Sequence, residues 1–162
     1  MMVGARWTHH RIVQNIAFQL TNGFRSSGSA CLAFTETFWL KEKFLRLAVF
    51  PDVMVHCGRP DREATSVNDP AVLFEVVSPG SERRDRGEKA ELYRRLSSLQ
   101  HFVVVERDRP EVTVDSRIGE RAWTFGEPLQ GLDAVLPLPA IGVELLLSEV
   151  YRDVMGPSRG NG

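Results

Sequence analysis

The chain has only two cysteines in 162 residues and no long apolar run. Cys31 and Cys57 lack CxxC spacing and there is no secretion signal, so we expect reduced thiols and neither a disulfide nor a zinc site. No stretch approaches the roughly 18 consecutive apolar residues of a membrane-spanning helix, and the N-terminus lacks the apolar core of a signal peptide. These absences predict a cytoplasmic protein without a membrane span.

The chain also lacks an excess of charge of either sign. Its net charge of −1 gives no global electrostatic footprint for nucleic acid. Five arginines nevertheless fall between residues 83 and 95, which is typical of a solvated helix face but leaves a local basic surface open. With 43% hydrophobic and 25% charged residues the composition is that of an ordinary globular protein. We predict a single domain over residues 1–155 and a disordered tail over residues 156–162.

Apolar residues recur at steps of three and four between residues 8 and 24, which predicts a helix with one buried stripe. Thr8 is the expected N-cap and Gly23 the expected end of this helix. The stripe consists of Ile12, Val13, Ile16, Leu20 and Phe24.

Strand-like runs follow this helix, and a second helix is predicted over residues 81–96. The strands are expected at residues 30–34, 37–40, 45–49, 50–56, 71–77, 101–106, 111–116 and 121–125. Residues 57–70 are rich in turn formers and predict a loop, whereas the very apolar residues 71–77 predict a central strand. A short apolar helix is expected near the end of "LPLPAIGVELLLSEVY". This order predicts an α/β (α+β) fold with one central mixed sheet flanked by helices.

A glutamate interrupts the central strand "VLFEVV". An isolated carboxylate in such surroundings is costly unless it is paired or bound to a metal, so Glu75 needs a cation. Asp52 lies in the preceding strand, and if the two strands are neighbours both carboxylates share one face. Two acidic oxygen donors held together in a partly dry cleft suit Mg²⁺ or Mn²⁺.

Lys89 lies on the core-facing stripe of the second helix, roughly 40° from Tyr93 and 20° from Leu96 around the helix axis. Its ammonium is therefore expected near Glu75. A purely structural ion pair remains an alternative, in which Asp85 and Lys89 would be an ordinary i,i+4 helix pair worth only about 0.2–0.5 kcal/mol. Asp52 favours a catalytic site, because a simple ion pair does not need a third charge.

The ordered set "PDVMV", "FEVVSP", "RRDRGEKAELYRR" and "HFVVVERDRPEVTV" resembles the PD-(D/E)xK nuclease superfamily. Within it, the chain resembles the Uma-type restriction endonuclease family, formerly a domain of unknown function, from "HHRIVQNI" to "LLLSEVY". The resemblance implies a restriction-endonuclease-like core and Mg²⁺- or Mn²⁺-dependent hydrolysis of nucleic-acid phosphodiesters, with DNA favoured over RNA. A homodimer is the expected assembly for a nuclease that cuts both strands.

The resemblance carries over to individual residues. Asp52 matches the aspartate of the PD element, and Glu75 matches the acid of the (D/E)xK element. Val77 occupies the usual lysine position, and Lys89 of the following helix matches that lysine instead. The resemblance thus implies Asp52, Glu75 and Lys89 as catalytic residues. It implies Asp52, Glu75 and the backbone carbonyl of Val76 as metal ligands.

Other residues of the second helix receive supporting roles. Asp85 is expected to hold Lys89 in place, and Tyr93 is expected either to support Lys89 or simply to fill the core. Contacts of arginines with backbone phosphates would be independent of sequence and sensitive to salt. The arginines expected to make them are Arg83, Arg84 and Arg86.

Two alternatives remain open. The first is a nuclease-fold protein without activity that binds nucleic acid or another protein. Val77 favours it, as does the expected lack of the family's extra strand pair before the first helix, which would uncover a sheet edge. The second is a metal-independent RNA cleaver that uses Tyr93, Lys89 and His101.

Two further polar residues have no assigned role. Glu36 in "FTET" and His10 on the first helix lie where members of the family carry polar residues. His10 is interpreted as a capping or packing histidine, because a single histidine without a partner motif carries little information.

Overall fold

The structure is a computed structural model that describes residues 6–80 and 83–155, with the side chains of residues 83–86 outside that description. Within these ranges the α-helices are α1 (Trp7–Ser27), α2 (Arg83–Arg94) and α3 (Leu147–Val150). The first strands are β1 (Cys31–Thr35), β2 (Trp39–Glu42), β3 (Leu47–Val49), β4 (Val53–Cys57), β5 (Ser66–Val67) and β6 (Val72–Val77). The later strands are β7 (His101–Glu106), β8 (Glu111–Gly119), β9 (Ala122–Phe125), β10 (Leu129–Gln130), β11 (Val135–Leu138) and β12 (Val143–Leu146).

The main sheet of the described residues has seven strands, with the order β1, β4, β6, β7, β8, β10 and with β9 also paired to β8. β6 and β7 are parallel, whereas β6 and β4 are antiparallel. The sheet is therefore mixed, as predicted. β6 lies at its centre, and Val72, Leu73 and Phe74 are fully buried, which agrees with the continuous apolar run of this strand.

Each face of the main sheet carries its own helix. Along β4, Val53 and Val55 pack in the core cluster that contains α1, whereas Met54 packs in the cluster that contains Tyr93 of α2. This alternation is the consequence of the two-residue repeat of a strand. The ends of β4 and β6 consequently lie between the two helices.

The buried stripe of α1 is the predicted one. The predicted ends of the helix are wrong, because α1 begins at Trp7 and runs to Ser27. Its C-cap is Gly28, whose φ of 68° is the left-handed conformation that glycine adopts easily. Gly23 lies inside the helix, where a Cβ atom would come within 2.9 Å of Val143 Cγ1. Its lack of a side chain allows α1 to approach β12 closely.

Several short strands escaped the sequence analysis. The predicted loop 57–70 contains β5, which pairs in parallel with β2. Residues 135–146 form the antiparallel hairpin of β11 and β12 before α3. Pro137 and Pro139 obscure this hairpin in the sequence, because proline is rare inside strands.

The expectation of two reduced thiols is wrong, because Cys31 and Cys57 form a disulfide. The two residues lie directly opposite each other in the antiparallel pairing of β1 with β4, where side chains of opposed residues meet. Because the two cysteines are 26 residues apart, the sequence alone does not show that they are neighbours in the sheet. The bond joins β1, at one edge of the main sheet, to its neighbour.

No helix among the described residues is both long and apolar enough to cross a membrane. The single domain over residues 1–155 stays a prediction. The predicted tail, residues 156–162, lies outside the described residues, as do residues 81 and 82 at the predicted start of the second helix.

Candidate active site

An acidic row crosses the ends of three neighbouring strands. The register pairs Thr35 of β1 with Val53 of β4, and Val53 with Phe74 of β6. The next position on each strand is acidic, which brings three carboxylates to one end of the sheet. The residues of this acidic row are Glu36, Asp52 and Glu75. The sequence predicted that Asp52 and Glu75 would be neighbours, but it assigned no role to Glu36.

Asp52 ties the PD turn to β6. Its Oδ2 accepts a hydrogen bond from the backbone N–H of Val76 at 2.7 Å. The pairing of β4 with β6 has ended before this point, so the carboxylate takes the place of a strand partner for that N–H. Its Oδ1 lies 3.2 Å from Nε2 of His9 on α1. Both oxygens of this half-buried carboxylate are therefore held.

The backbone of β6 also directs the carbonyl of Val76. The oxygen of Val77 accepts a hydrogen bond from the N–H of Arg107, on the β7 side. Because successive residues of a strand direct their backbone groups to opposite edges, the carbonyl of Val76 points to the edge where Asp52 lies. The side chain of Val77 shares a face with Glu75. A lysine at this position would project beside Glu75, as in the usual (D/E)xK pattern.

The structure brings Lys89 to Glu75 from the helix. Nζ of Lys89 lies 3.2 Å from Oε1 of Glu75, and the hydroxyl of Tyr93 donates a hydrogen bond to the same oxygen at 2.9 Å. The Glu75 side chain is 13% exposed, that of Lys89 is 44% exposed, and Tyr93 is fully buried. The carboxylate thus sits at the base of a cleft, with the ammonium at its mouth.

Burial sets the protonation of this pair. Desolvation raises the pKa of Glu75 to about 7, the charge of Lys89 opposes this shift, and the charge of Asp52 adds to it. The pKa of Tyr93 is raised, first by burial and then by the charge of Glu75, so the phenol stays protonated and keeps donating. Glu75 is consequently poised near neutral pH, and a further cation would favour its ionised form.

His9 completes a second group of potential metal ligands. Its Nε2 lies 3.7 Å from Oε1 of Glu36, and one ligand atom each of His9, Glu36 and Asp52 fall within 4.8 Å of one another. The hydrogen bond to Asp52 raises the pKa of His9, while burial opposes the shift. Oε1 of Glu36 is buried and makes no hydrogen bond.

His9 was not among the residues predicted for the site, and its neighbour His10 in "THHR" had no assigned role. His10 is exposed, whereas His9 reaches the acidic row. A usable signal was present, because His9 lies three, four and seven residues before Ile12, Val13 and Ile16 and so belongs to the buried stripe.

The remaining predicted residues divide into two groups. The side chains of Asp85, Arg83, Arg84 and Arg86 lie outside the part of α2 that is described. His101 is described and lies away from Lys89: its Nδ1 is 2.8 Å from Oγ of Ser116, and its Nε2 accepts a hydrogen bond from the N–H of Ala140.

His101 also projects from the face of β7 opposite to Phe102, which packs with Tyr93. The metal-independent RNA cleaver therefore lacks its histidine, because Tyr93 and Lys89 lie on the other side of the sheet.

The architecture places the protein in a class of nuclease folds. The structure is similar to that of a protein from Anabaena variabilis described as a "putative nuclease belonging to DUF820", with a TM-score of 0.69 and 16% sequence identity, over 93% of this chain and 82% of that chain. At this identity the likeness concerns the fold. The family model "Uma2: Putative restriction endonuclease" matches residues 1–148, and the chain belongs to this family.

Two curated relatives come from Synechocystis sp. and are both described as uncharacterized. The protein slr1290 is 32% identical over 103 residues, which are 63% of this chain and 53% of that protein. The protein sll1609 is 24% identical over 129 residues, which are 78% of this chain and 72% of that protein. The chain thus spans about half the length of the first of these relatives.

Proposed function

We propose that the protein is a divalent-metal-dependent endonuclease that hydrolyses phosphodiester bonds in nucleic acid, with DNA as the first substrate to test. The observation that carries this proposal is the contact of Lys89 with Glu75 beside the acidic row. A pair that served only to neutralise charge would need neither Asp52 nor Glu36. Membership of the Uma2 family supports the same reaction class.

The residues of the acidic row fit a hard cation. Carboxylate oxygens and a backbone carbonyl are the ligands that Mg²⁺ and Mn²⁺ prefer, and Mn²⁺ also accepts imidazole. The buried Oε1 of Glu36 lacks a hydrogen bond, and such an atom is costly unless a cation or water reaches it. Asp52, Glu75 and the carbonyl of Val76 would hold the ion, with Glu36 and His9 as further ligands.

A bound ion would polarise the scissile phosphate and lower the pKa of an attacking water. The chain itself supplies the remaining functions. Lys89 is held by Glu75 and is partly exposed, so its ammonium can orient the attacking water and offset the negative charge that develops on the phosphate. The hydrogen bond from the Tyr93 hydroxyl fixes the position of Glu75, and the hydrogen bond from the N–H of Val76 fixes that of Asp52.

Lys89 also answers the main argument for an inactive protein. Val77 occupies the position where the superfamily pattern has its lysine. The ammonium of Lys89 nevertheless contacts Glu75, the carboxylate beside which a lysine at position 77 would lie. An inactive binding module has no need to retain this contact, so the active nuclease is the better interpretation.

The proposal is tested by incubating the purified protein with supercoiled plasmid, linear duplex and single-stranded DNA in Mg²⁺, Mn²⁺ or EDTA. We expect cleavage with either metal and none in EDTA. Asp52→Asn and Lys89→Met should each lose most of the activity, whereas the exposed Asp69→Asn and Lys41→Met should keep it. Cleavage that persists in both site variants would reject this active site.

Metal binding can be measured without cleavage. Titration calorimetry with Mn²⁺ in the absence of nucleic acid should detect binding to the wild type and to Lys89→Met, and weak or no binding to Asp52→Asn. Equal binding by the wild type and Asp52→Asn would contradict the ligand set.

A further inference from the structure

A trough leads away from the active site along the face of the sheet that α2 covers. Its inner part is a cavity of about 410 Å³ between α2 and the strands β6, β7 and β8, and Glu75 and Lys89 are among the residues that line it. Its walls are mainly apolar, through Ala90, Phe102 and Val104. This volume lies within the range of about 300–1,000 Å³ that is typical of sites for small molecules.

The outer part of the trough is a cavity of about 720 Å³ between the end of α2 and the strands β8 and β9. An ion pair separates the two parts, because Asp115 lines the inner cavity, Arg94 lines the outer one, and their charged groups lie 3.3 Å apart. The register across the sheet aligns Phe102, Asp115 and Phe125 in one row. The two cavities therefore belong to one face of the sheet.

The outer part combines positive charge with aromatic rings. Four arginines line it, against two glutamates, in a chain whose net charge is −1. The guanidinium of Arg94 lies 5.1 Å from the ring centre of Phe125, and that of Arg117 lies 4.7 Å from the ring of Trp123. Phe125 is 65% exposed. Exposed aromatic rings beside arginines are the usual platform on which unpaired bases stack.

Arg117 shows that this platform is rigid. Its guanidinium donates hydrogen bonds to the backbone oxygens of Leu99, Leu96 and Glu120, at 2.7, 2.8 and 2.6 Å. These carbonyl acceptors hold the side chain in place without neutralising its charge. The ring of Trp123 therefore rests on a fixed cation, while Arg95 and Arg121 are exposed at the rim.

We propose that this trough binds an unpaired strand of the nucleic-acid substrate, next to the phosphate at the active site. Bases stack on Phe125 and Trp123, Arg95 and Arg121 contact phosphates, and the inner cavity holds one base between its apolar walls. Intact duplex does not fit this chemistry, because its bases are already stacked on one another. The position of the scissile phosphate rests on the proposed function, whereas strand binding in the trough does not require cleavage.

The test is a binding measurement in EDTA, which prevents cleavage. A fluorescein-labelled DNA oligonucleotide is titrated with protein as a single strand and as the blunt duplex of the same sequence, and anisotropy is recorded. We expect the single strand to bind about tenfold or more tightly than the duplex. Phe125→Ala should weaken single-strand binding roughly 5-fold or more, as the loss of one stacked base does.

The chain offers matched controls on the opposite face of the sheet. Phe18 of α1 is 66% exposed, so Phe18→Ala removes an equally exposed ring and should leave binding unchanged. The double variant Arg95→Ala, Arg121→Ala should reduce the slope of log affinity against log salt by about 0.7 for each phosphate that it no longer binds. The exposed pair Arg11→Ala, Arg25→Ala should leave this slope unchanged.

A second readout reports on Trp123 itself. Stacking of a base should quench tryptophan fluorescence, and Trp123→Phe should lose the quenching while keeping most of the affinity, because phenylalanine also stacks. Equal affinity for single strand and duplex, or equal binding by Phe125→Ala and the wild type, would overturn the proposal. If the protein binds as expected but never cleaves, the proposed function is rejected and the proposal for the trough stands. If it cleaves without these binding preferences, the proposal for the trough is rejected and the proposed function stands.

Discussion

The ammonium of Lys89 lies 3.2 Å from Oε1 of Glu75, and this contact joins α2 to β6 at the acidic row. We expect the ammonium to take the role of the lysine that the superfamily pattern places at position 77. Lys89 is partly exposed, whereas the carboxylate of Glu75 is largely buried. Replacing Lys89 should therefore affect catalysis much more than it affects the free energy of unfolding.

Lys89→Met should reduce the cleavage rate by about 10²–10⁴-fold, because the ammonium is expected to position the water and to stabilise charge in the transition state. The free energy of unfolding should fall by no more than about 1 kcal/mol, since an ion pair with an exposed partner contributes little. Lys41→Met is the matched control, because both lysines lie over an aromatic ring, Lys89 over that of Tyr93 and Lys41 over that of Trp39. Similar rates for the two variants in plasmid cleavage would contradict the assignment.

Glu75→Gln should abolish cleavage yet stabilise the metal-free protein at high pH. The pKa of Glu75 is raised to about 7 in the folded protein, so its stabilising contribution is present below the ordinary value of 4.5 and is lost as the pH rises through 7. At pH 8.5 in EDTA, glutamine should increase the free energy of unfolding by about 1–3 kcal/mol. Urea denaturation at pH 5 and pH 8.5 measures this difference, with Glu63→Gln as the exposed control. A variant less stable than the wild type at pH 8.5 would refute the expectation.

Tyr93→Phe should shift the acidic limb of the pH–rate profile to higher pH. The Tyr93 hydroxyl lowers the pKa of Glu75 by hydrogen bonding to its ionised form, so its loss leaves less carboxylate at neutral pH. Activity at pH 7 should drop by up to about tenfold and recover at higher pH.

Tyr151→Phe is the control for this experiment. The hydroxyl of Tyr151 is also buried and donates a hydrogen bond to the backbone oxygen of Glu106, away from the acidic row. It should cost about 1 kcal/mol of stability without moving the profile. Profiles that shift equally in both variants would assign Tyr93 a structural role only.

His101 should make the protein less stable in mild acid. Burial lowers its pKa in the folded state, so the unfolded chain binds more protons once the pH falls below about 6.5. As the pH falls from 7.5 to 5.5, the free energy of unfolding of the wild type should fall relative to that of His101→Gln, because the opposing protonation of Glu75 and His9 is the same in both proteins. Denaturation midpoints across this range measure the effect, and His10→Gln controls for the removal of a histidine elsewhere. An unchanged pH dependence in His101→Gln would argue against a buried neutral imidazole.

Local periodicity explains what the sequence could predict. The buried stripe of α1 and the address of Lys89 on α2 follow from the 100° turn per residue of a helix, and the central position of β6 follows from its apolar run. The alternation along β4 and β6 made a shared face for Asp52 and Glu75 predictable. The family resemblance identified the motifs, but the contact of Lys89 with Glu75 was already expected from the position of Lys89 on the core-facing stripe of the helix.

Cross-strand register explains what the sequence could not predict. Glu36 meets the acidic row, and Cys31 meets Cys57, because β1 pairs with β4 in one register. A shift by one residue would have sent each side chain to the other face, and nothing within either strand specifies the partner. The trough is likewise built from residues of α2, β8 and β9 that are distant in the chain. The sequence by itself determined the helices, the central strand and the charged residues, because these depend on short-range geometry. The tertiary structure decided which of those charges meet, because that depends on the pairing of distant strands.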